Sequence, residues 1–184
     1  QNCLHIYTDG SKSDSGRVSS AFYVKEKNLK FKYRLTDNLT IYTAELVAIK
    51  ETLRWILANE NILNKIDIAI FSDSKSSLES LNKEKSTERP NLLIEILELL
   101  TKINNRITTV WIPAHVGLLG NEIVDQLAKL AINNQYIDLD IEFESRELYP
   151  LINIFTKNGK SVGIEIQHST IIKFTRLRIF DKSS

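Results

Sequence analysis

Four carboxylates in this sequence stand where they could do chemistry. Asp9 closes an apolar run in Tyr7-Thr8-Asp9-Gly10-Ser11, and Glu45 lies early in a helical stretch in Thr43-Ala44-Glu45-Leu46. Asp73 follows a second apolar run in Phe71-Ser72-Asp73-Ser74, and Asp125 lies in Gly120-Asn121-Glu122-Ile123-Val124-Asp125. Each has an ordinary structural reading. Asp-Gly after an apolar run is a common turn, and a Glu in a first helical turn answers the helix dipole. Asp73 could cap a helix, and Asp125 could pair with Lys129 one turn on. Taken together they suggest something else. Carboxylates gathered at neutral pH repel one another unless cations are present, and hard divalent ions such as Mg²⁺ take oxygen ligands of this kind. Two such ions about 3.5–4 Å apart can activate a water and stabilise a leaving oxyanion in phosphodiester hydrolysis.

A histidine completes the set. His115 lies between Pro113 and Gly117, ahead of Asp125 in the same block. Histidine suits proton transfer at physiological pH, although a loop histidine bonded to backbone is the ordinary alternative. His5 and His168 have no comparable surroundings.

The elements that must position these residues follow from periodicity. Residues 4–8, 21–25 and 28–35 read as three strands of an antiparallel meander. A helix is expected over 43–58, with Thr43 as its N-cap and Leu46, Val47, Ile49, Leu53, Ile56 and Leu57 on one face. Residues 66–71 form a buried strand, followed by a short helix to about Leu81 and a polar linker over 82–89. Pro90 starts a helix with Leu93, Ile96, Leu97, Leu100 and Ile103 at its core positions. A last strand over 106–112, a loop over 113–120 and a helix to about Asn133 close the block, with Ile123, Leu127 and Leu130 on one side. The order βββ-α-β-α-α-β-α is that of an α/β or α+β domain over residues 1–134. Strand ends converge on one rim of such a sheet, so Asp9 and Asp73 would meet there with Glu45 and Asp125 facing them. Residues 135–184 read as a C-terminal appendage, with a helix near 144–155, a turn at 158–160 and a strand over 162–166.

Bulk properties agree with a soluble intracellular domain. The chain has 184 residues, 42% hydrophobic and 26% charged, enough for a core without disulfides. Its single cysteine, Cys3, excludes an internal disulfide framework and fits a reducing compartment. No apolar run approaches the roughly 18–20 residues needed to span a bilayer, and no signal-peptide pattern opens the chain. Net charge is +1, which neither demands nor excludes nucleic acid. Lys25, Lys27, Lys30, Lys32 and Arg34 crowd one stretch, and Lys173, Arg176, Arg178 and Lys182 another. Such clusters bind phosphates or, more simply, keep a strand edge from aggregating. The chain starts at Gln1 and has no methionine, which suggests a segment of a longer or processed product.

The motifs around the four carboxylates, with Thr43 to Ile49 and the block from Trp111 to Asp125, resemble type 1 ribonuclease H over roughly residues 3–133. The resemblance implies a ribonuclease H-like α/β fold. Its five-stranded mixed sheet has three antiparallel strands, then two parallel, flanked by helices. It also implies endonucleolytic hydrolysis of the RNA strand of an RNA–DNA hybrid, leaving 5′-phosphate and 3′-hydroxyl ends. Asp9 would bridge two Mg²⁺ ions, for which Mn²⁺ can substitute. Asp125 would join it at the water-activating ion, and Glu45 and Asp73 would hold the ion near the leaving group. His115 would shuttle protons and assist product release. Gly10, Ser11, Tyr42, Thr43, Ser74 and Asn121 are the expected substrate-binding residues.

Two departures refine the resemblance. Many cellular members place asparagines before the catalytic Glu, where this chain has Leu39-Thr40-Ile41-Tyr42-Thr43. That run is more like the ribonuclease H domains of non-LTR retrotransposons, with Tyr42 either stacked on substrate or packed internally. The linker over 82–89 is too short for the basic helix by which some members grip the hybrid, so binding would be weak and salt-sensitive. A neighbouring reverse transcriptase domain could supply that grip. Residues 135–184 loosely resemble the segment beyond ribonuclease H in such elements, and truncation would leave 174–180 exposed or disordered. The rival readings are a transposase or integrase-type nuclease on the same fold, and a decayed hybrid-binding remnant. The His115 block and the Glu45 helix favour ribonuclease H over the first. Retention of all four carboxylates argues against the second.

Overall fold

Alternation along the first strand gives the sheet two buried faces. In a computed structural model, which describes residues 3–81, 88–144, Glu147 and the backbone of 162–168 and 175–181, strand β1 spans Cys3–Lys12. Successive side chains of a strand point to opposite faces, so Leu4, Ile6 and Thr8 face one way and His5, Tyr7 and Asp9 the other. Strand β2 (Val18–Val24) pairs antiparallel with β1, and β3 (Leu29–Leu35) pairs antiparallel with β2. On its other side β1 pairs parallel with β4 (Asp67–Ser72), which pairs parallel with β5 (Ile107–Trp111). The order β3-β2-β1-β4-β5 is the expected mixed sheet, three antiparallel strands then two parallel.

One detail corrects the sequence reading. Asp9-Gly10 is not a turn, because antiparallel pairing with β2 continues to Lys12↔Val18 and carries β1 past it. The parallel pairing of β1 with β4 does stop there, at Thr8↔Ser72. Asp9 and Asp73 are the next residues in that register, so they sit side by side where the parallel half of the sheet ends.

Helix α1 (Ile41–Ala58) covers one face and buries Leu46, Val47, Ile49, Leu53 and Ile56. Phe22 stacks on Phe31 with ring centroids 4.4 Å apart, and Trp55 closes over both. Its N-cap is Thr40, not Thr43: Thr40 is extended, and its side chain accepts from the Thr43 N–H. A short helix α2 (Glu60–Leu63) follows, and α3 (Lys75–Leu81) begins just past β4. Helix α4 (Pro90–Lys102) packs on α1 through Leu92, Leu93 and Ile96, whereas Leu97 is exposed and Leu100 half-buried. The buried face is therefore rotated from the expected one, and Leu92 takes the place of Leu97.

Helix α5 (Leu119–Ala131) covers the other sheet face. Val124 and Ala128 pack with Tyr7, Ala21, Tyr23 and Ile112. The face differs from expectation, with Leu130 exposed and Ile123 and Leu127 only partly buried. Small residues explain it: Ala128 and Ala131 let α5 lie close, and the Ser19 hydroxyl donates to the Ala128 carbonyl at 2.6 Å.

The chain divides into two units, Gln1–Ile141 and Glu142–Ser184. In the first, residues past α5 return to β3. The Asp138 carboxylate accepts from Arg34 N–H at 2.7 Å, Leu139 bridges Leu35, and Ile141 N–H donates to Thr36 Oγ1 at 2.8 Å. In the second, β6 (Val162–His168) and β7 (Thr175–Asp181) pair antiparallel. Most of the helix expected over 144–155, the turn at 158–160, residues 82–87 of the linker, and the side chains of the second basic cluster lie outside the described residues. Among the described residues no helix is long and apolar enough to cross a membrane.

Candidate active site

Three carboxylates converge at the end of the parallel strands. Asp9, Glu45 and Asp73 each offer an oxygen, and the three oxygens lie within 4.8 Å of one another. The sheet register brings Asp9 beside Asp73, and helix α1 brings Glu45 down onto them. Gly10 makes that approach possible. A Cβ at this position would lie 2.7 Å from the Glu45 backbone nitrogen and 2.8 Å from the Ala44 Cβ, so a side chain there would push α1 off the strand.

Burial makes the cluster electrostatically tense. Desolvation chiefly, then the charges of Asp73 and Asp125, push the Asp9 carboxyl up to about 7, while Lys129 and hydrogen bonding from the Gly10 backbone pull the other way. Glu45 is raised well above the ordinary glutamate range, again by burial first and then by Asp9 and Asp73, with the Gly10 backbone opposing. Its Oε2 is buried and has no hydrogen-bond partner among the described residues. Such an oxygen is costly to bury unless something accepts its lone pairs. A divalent cation bound by these three oxygens would meet that need, and the all-oxygen donor set suits Mg²⁺ or a similar hard ion.

Asp125 stands outside this triad. On α5 its Oδ2 accepts from Lys129 Nζ at 2.7 Å, the i,i+4 pair, yet its charge is felt at Asp9. His115 is exposed on the loop before α5 with a left-handed φ of 55°, and it is not among the converging groups. Tyr42 is half-buried, and its interior hydroxyl has no partner among the described residues. Thr43 is fully buried, and its hydroxyl meets the Thr40 hydroxyl at 2.8 Å and accepts from Arg89 Nε at 2.9 Å. Ser11 is half-buried on β1, and the Ser74 hydroxyl meets that of Ser77 at 2.7 Å.

Two side chains steady Asp73, and sequence reasoning gave neither that role. Trp111 Nε1 donates to the Asp73 carbonyl at 3.1 Å, and buried Asn121 reaches an Asp73 carboxylate oxygen through Nδ2 at 3.4 Å. Trp111 is the last residue of β5, level with Ser72 in the register, so the strand pairing itself pointed to this contact.

The sheet order, the helices on both faces and the acidic cluster where β1 and β4 part together define a ribonuclease H-like α/β protein. The family model described as RNase H matches residues 1–133, and the chain belongs to that family. Membership makes it a ribonuclease H, a hydrolase of the family that acts on RNA–DNA hybrids and uses divalent metal ions.

Proposed function

We propose that this chain is an endoribonuclease of a retroelement polyprotein that cuts the RNA strand of RNA–DNA hybrids with two Mg²⁺ ions and leaves 5′-phosphate and 3′-hydroxyl ends. The observation that carries the metal-dependent reading is the convergence of Asp9, Glu45 and Asp73 with the orphaned Glu45 Oε2. Asp9, Glu45 and Asp73 would hold the cations, with Asp125 released from Lys129 to join them. Bound there, two divalent ions would lower the pKa of an attacking water and offset charge on the leaving oxygen. The chain's own residues do the rest. Gly10 seats α1 so that Glu45 reaches the cluster, while Trp111 and Asn121 hold Asp73. His115 takes and returns a proton from the exposed loop. Ser11, Ser74 and Tyr42 line the approach for the hybrid, and Gly10 and Thr43 contribute through the seat and the start of α1. The Leu39-Thr40-Ile41-Tyr42-Thr43 run supports the retroelement context, in which an adjacent reverse transcriptase domain adds affinity inside the cell.

The test uses end-labelled RNA–DNA hybrid, RNA duplex and DNA duplex, with Mg²⁺, with Mn²⁺ and with EDTA. Cutting confined to the RNA of the hybrid, dependent on the cation and reduced at least about 10³-fold in Asp9→Asn, is the expected result. Cutting that survives Asp9→Asn or EDTA would overturn the reading. A folded chain that cleaves nothing in either metal would point to the decayed remnant.

A further inference from the structure

Arg89 was one charge among several in the linker sequence, yet its guanidinium is buried, with only 6% of the residue exposed. Burying an arginine is unfavourable unless its hydrogen bonds are made. Its backbone is also unusual, with φ 53° and ψ 49° directly before Pro90. The residue before a proline is normally driven to extended geometry, and a left-handed non-glycine costs on the order of 1–3 kcal/mol. Strain of this kind persists only where surrounding contacts fix it.

Those contacts lead to the start of the helix that carries Glu45. Arg89 Nε–H donates to Thr43 Oγ1 at 2.9 Å. Thr43 and Thr40 share a hydroxyl–hydroxyl bond of 2.8 Å, and Thr40 Oγ1 also accepts from the Thr43 backbone N–H at 3.1 Å to cap α1. Arginine nitrogens only donate, so the Thr43 oxygen is the acceptor in the Arg89 bond, and either hydroxyl can be the donor between Thr43 and Thr40. The guanidinium thus polarises the cap of the helix whose second turn presents Glu45. The same residue starts α4, where its carbonyl accepts from Leu93 N–H at 3.0 Å. One residue therefore ties the starts of α1 and α4 together, by its side chain on one side and its backbone carbonyl on the other.

We propose that Arg89 is a positioning residue that sets Glu45 through the Thr43–Thr40 cap, so that the residue at the start of α4 controls the competence of the acidic cluster. This rests on the reading of Glu45 as a cation ligand. Arg89 touches no reacting atom. Its effect lies in kcat and in the cation requirement, not in KM.

The experiment compares Arg89→Lys, Thr43→Val and the double variant in the full chain. Lysine keeps the charge and loses the planar Nε donor. Each single variant should lower kcat about tenfold, with KM within about twofold and a raised half-saturating Mg²⁺ concentration. The double variant should be no worse than either single one, because both break the same link. Hydrogen exchange of the Thr43 and Ala44 amides in the metal-free protein should speed in all three. Additive losses would overturn the proposal, as would a KM rise with unchanged exchange, or a lowered Tm with unchanged kcat. If the wild-type chain cuts no hybrid, the functional reading fails, and amide exchange still decides whether Arg89 holds the cap.

Discussion

The two banks of the proposed site are built differently. On one, Asp9, Glu45 and Asp73 are set by a strand register and by a helix lowered onto a glycine, and Asp9 and Glu45 are almost wholly buried. On the other, His115 is exposed and left-handed, Val116 and Leu119 are 57% and 72% exposed, and Asp125 is engaged with Lys129. The first bank is held by strand pairing and by close packing of α1 on β1. The second lies on a loop and an exposed helix face, the places where positions are cheapest to change. Pre-set groups near the reacting bond avoid reorganisation during the reaction, and an adjustable bank can open for product to leave.

The sharpest way to break the first bank leaves every carboxylate in place. Gly10→Ala would set a methyl 2.7 Å from the Glu45 nitrogen. Backbone cannot yield as a flexible side chain does, so α1 must lift. Overpacking of this kind costs about 1–3 kcal/mol, and a shift of about 1 Å at a catalytic group costs about 100-fold in rate. Activity of Gly10→Ala against hybrid should fall about that much while the chain stays folded at 25 °C, as circular dichroism would check. An active Gly10→Ala enzyme would mean that the first bank is as tolerant as the second.

This contrast also explains what could be read from residue types alone. The order of strands and helices and the meeting of Asp9 and Asp73 at one rim are legible, because apolar periodicity marks strands and helices and strand ends gather at one edge. The mixed sheet came with the family resemblance, and of the four carboxylates expected to converge Asp125 stays apart. Three things are not legible. The role of Gly10 looked like a turn, because only the partner strand's length distinguishes a turn from a continuing strand. The faces of α4 and α5 depart from the apolar pattern at exposed Leu97 and Leu130, because small residues such as Ala128 decide how closely a helix packs and carry little hydrophobic signal. The burial of Thr43 and Arg89 was invisible, since a link across 46 positions leaves no local pattern.

A smaller effect separates the banks by pH. The folded Asp9 carboxyl is raised from 3.8 to about 7, so the folded state holds its proton more tightly than the unfolded state. The stability this lends is fully present below about pH 4, declines as pH rises through the folded value near 7, and is absent above it. Glu45 is shifted in the same direction. In EDTA the Tm should therefore fall between pH 5 and pH 8, Mg²⁺ should restore it at pH 8 by binding the folded state, and Asp9→Asn should flatten the dependence. A metal-free Tm that rises over that range would mean that the cluster is not under charge strain.

The smallest expected effect lies on the second bank. Lys129 is largely exposed and holds Asp125 at 2.7 Å. An exposed pair of this kind is worth about 0.2–1 kcal/mol, so Lys129→Gln should hardly change stability. Two consequences for the cation oppose each other. Removing the lysine frees Asp125 as a ligand, and it also removes a charge that lowers the Asp9 pKa. The Asp9 shift matters less as pH rises, so at pH 8 release of Asp125 should dominate and the half-saturating Mg²⁺ concentration should fall about two- to fivefold. At pH 6.5 the second effect should reduce or reverse that gain. A requirement that rises at both pH values would show that Lys129 serves mainly to keep Asp9 charged. The second bank would then belong to the fixed part of the site.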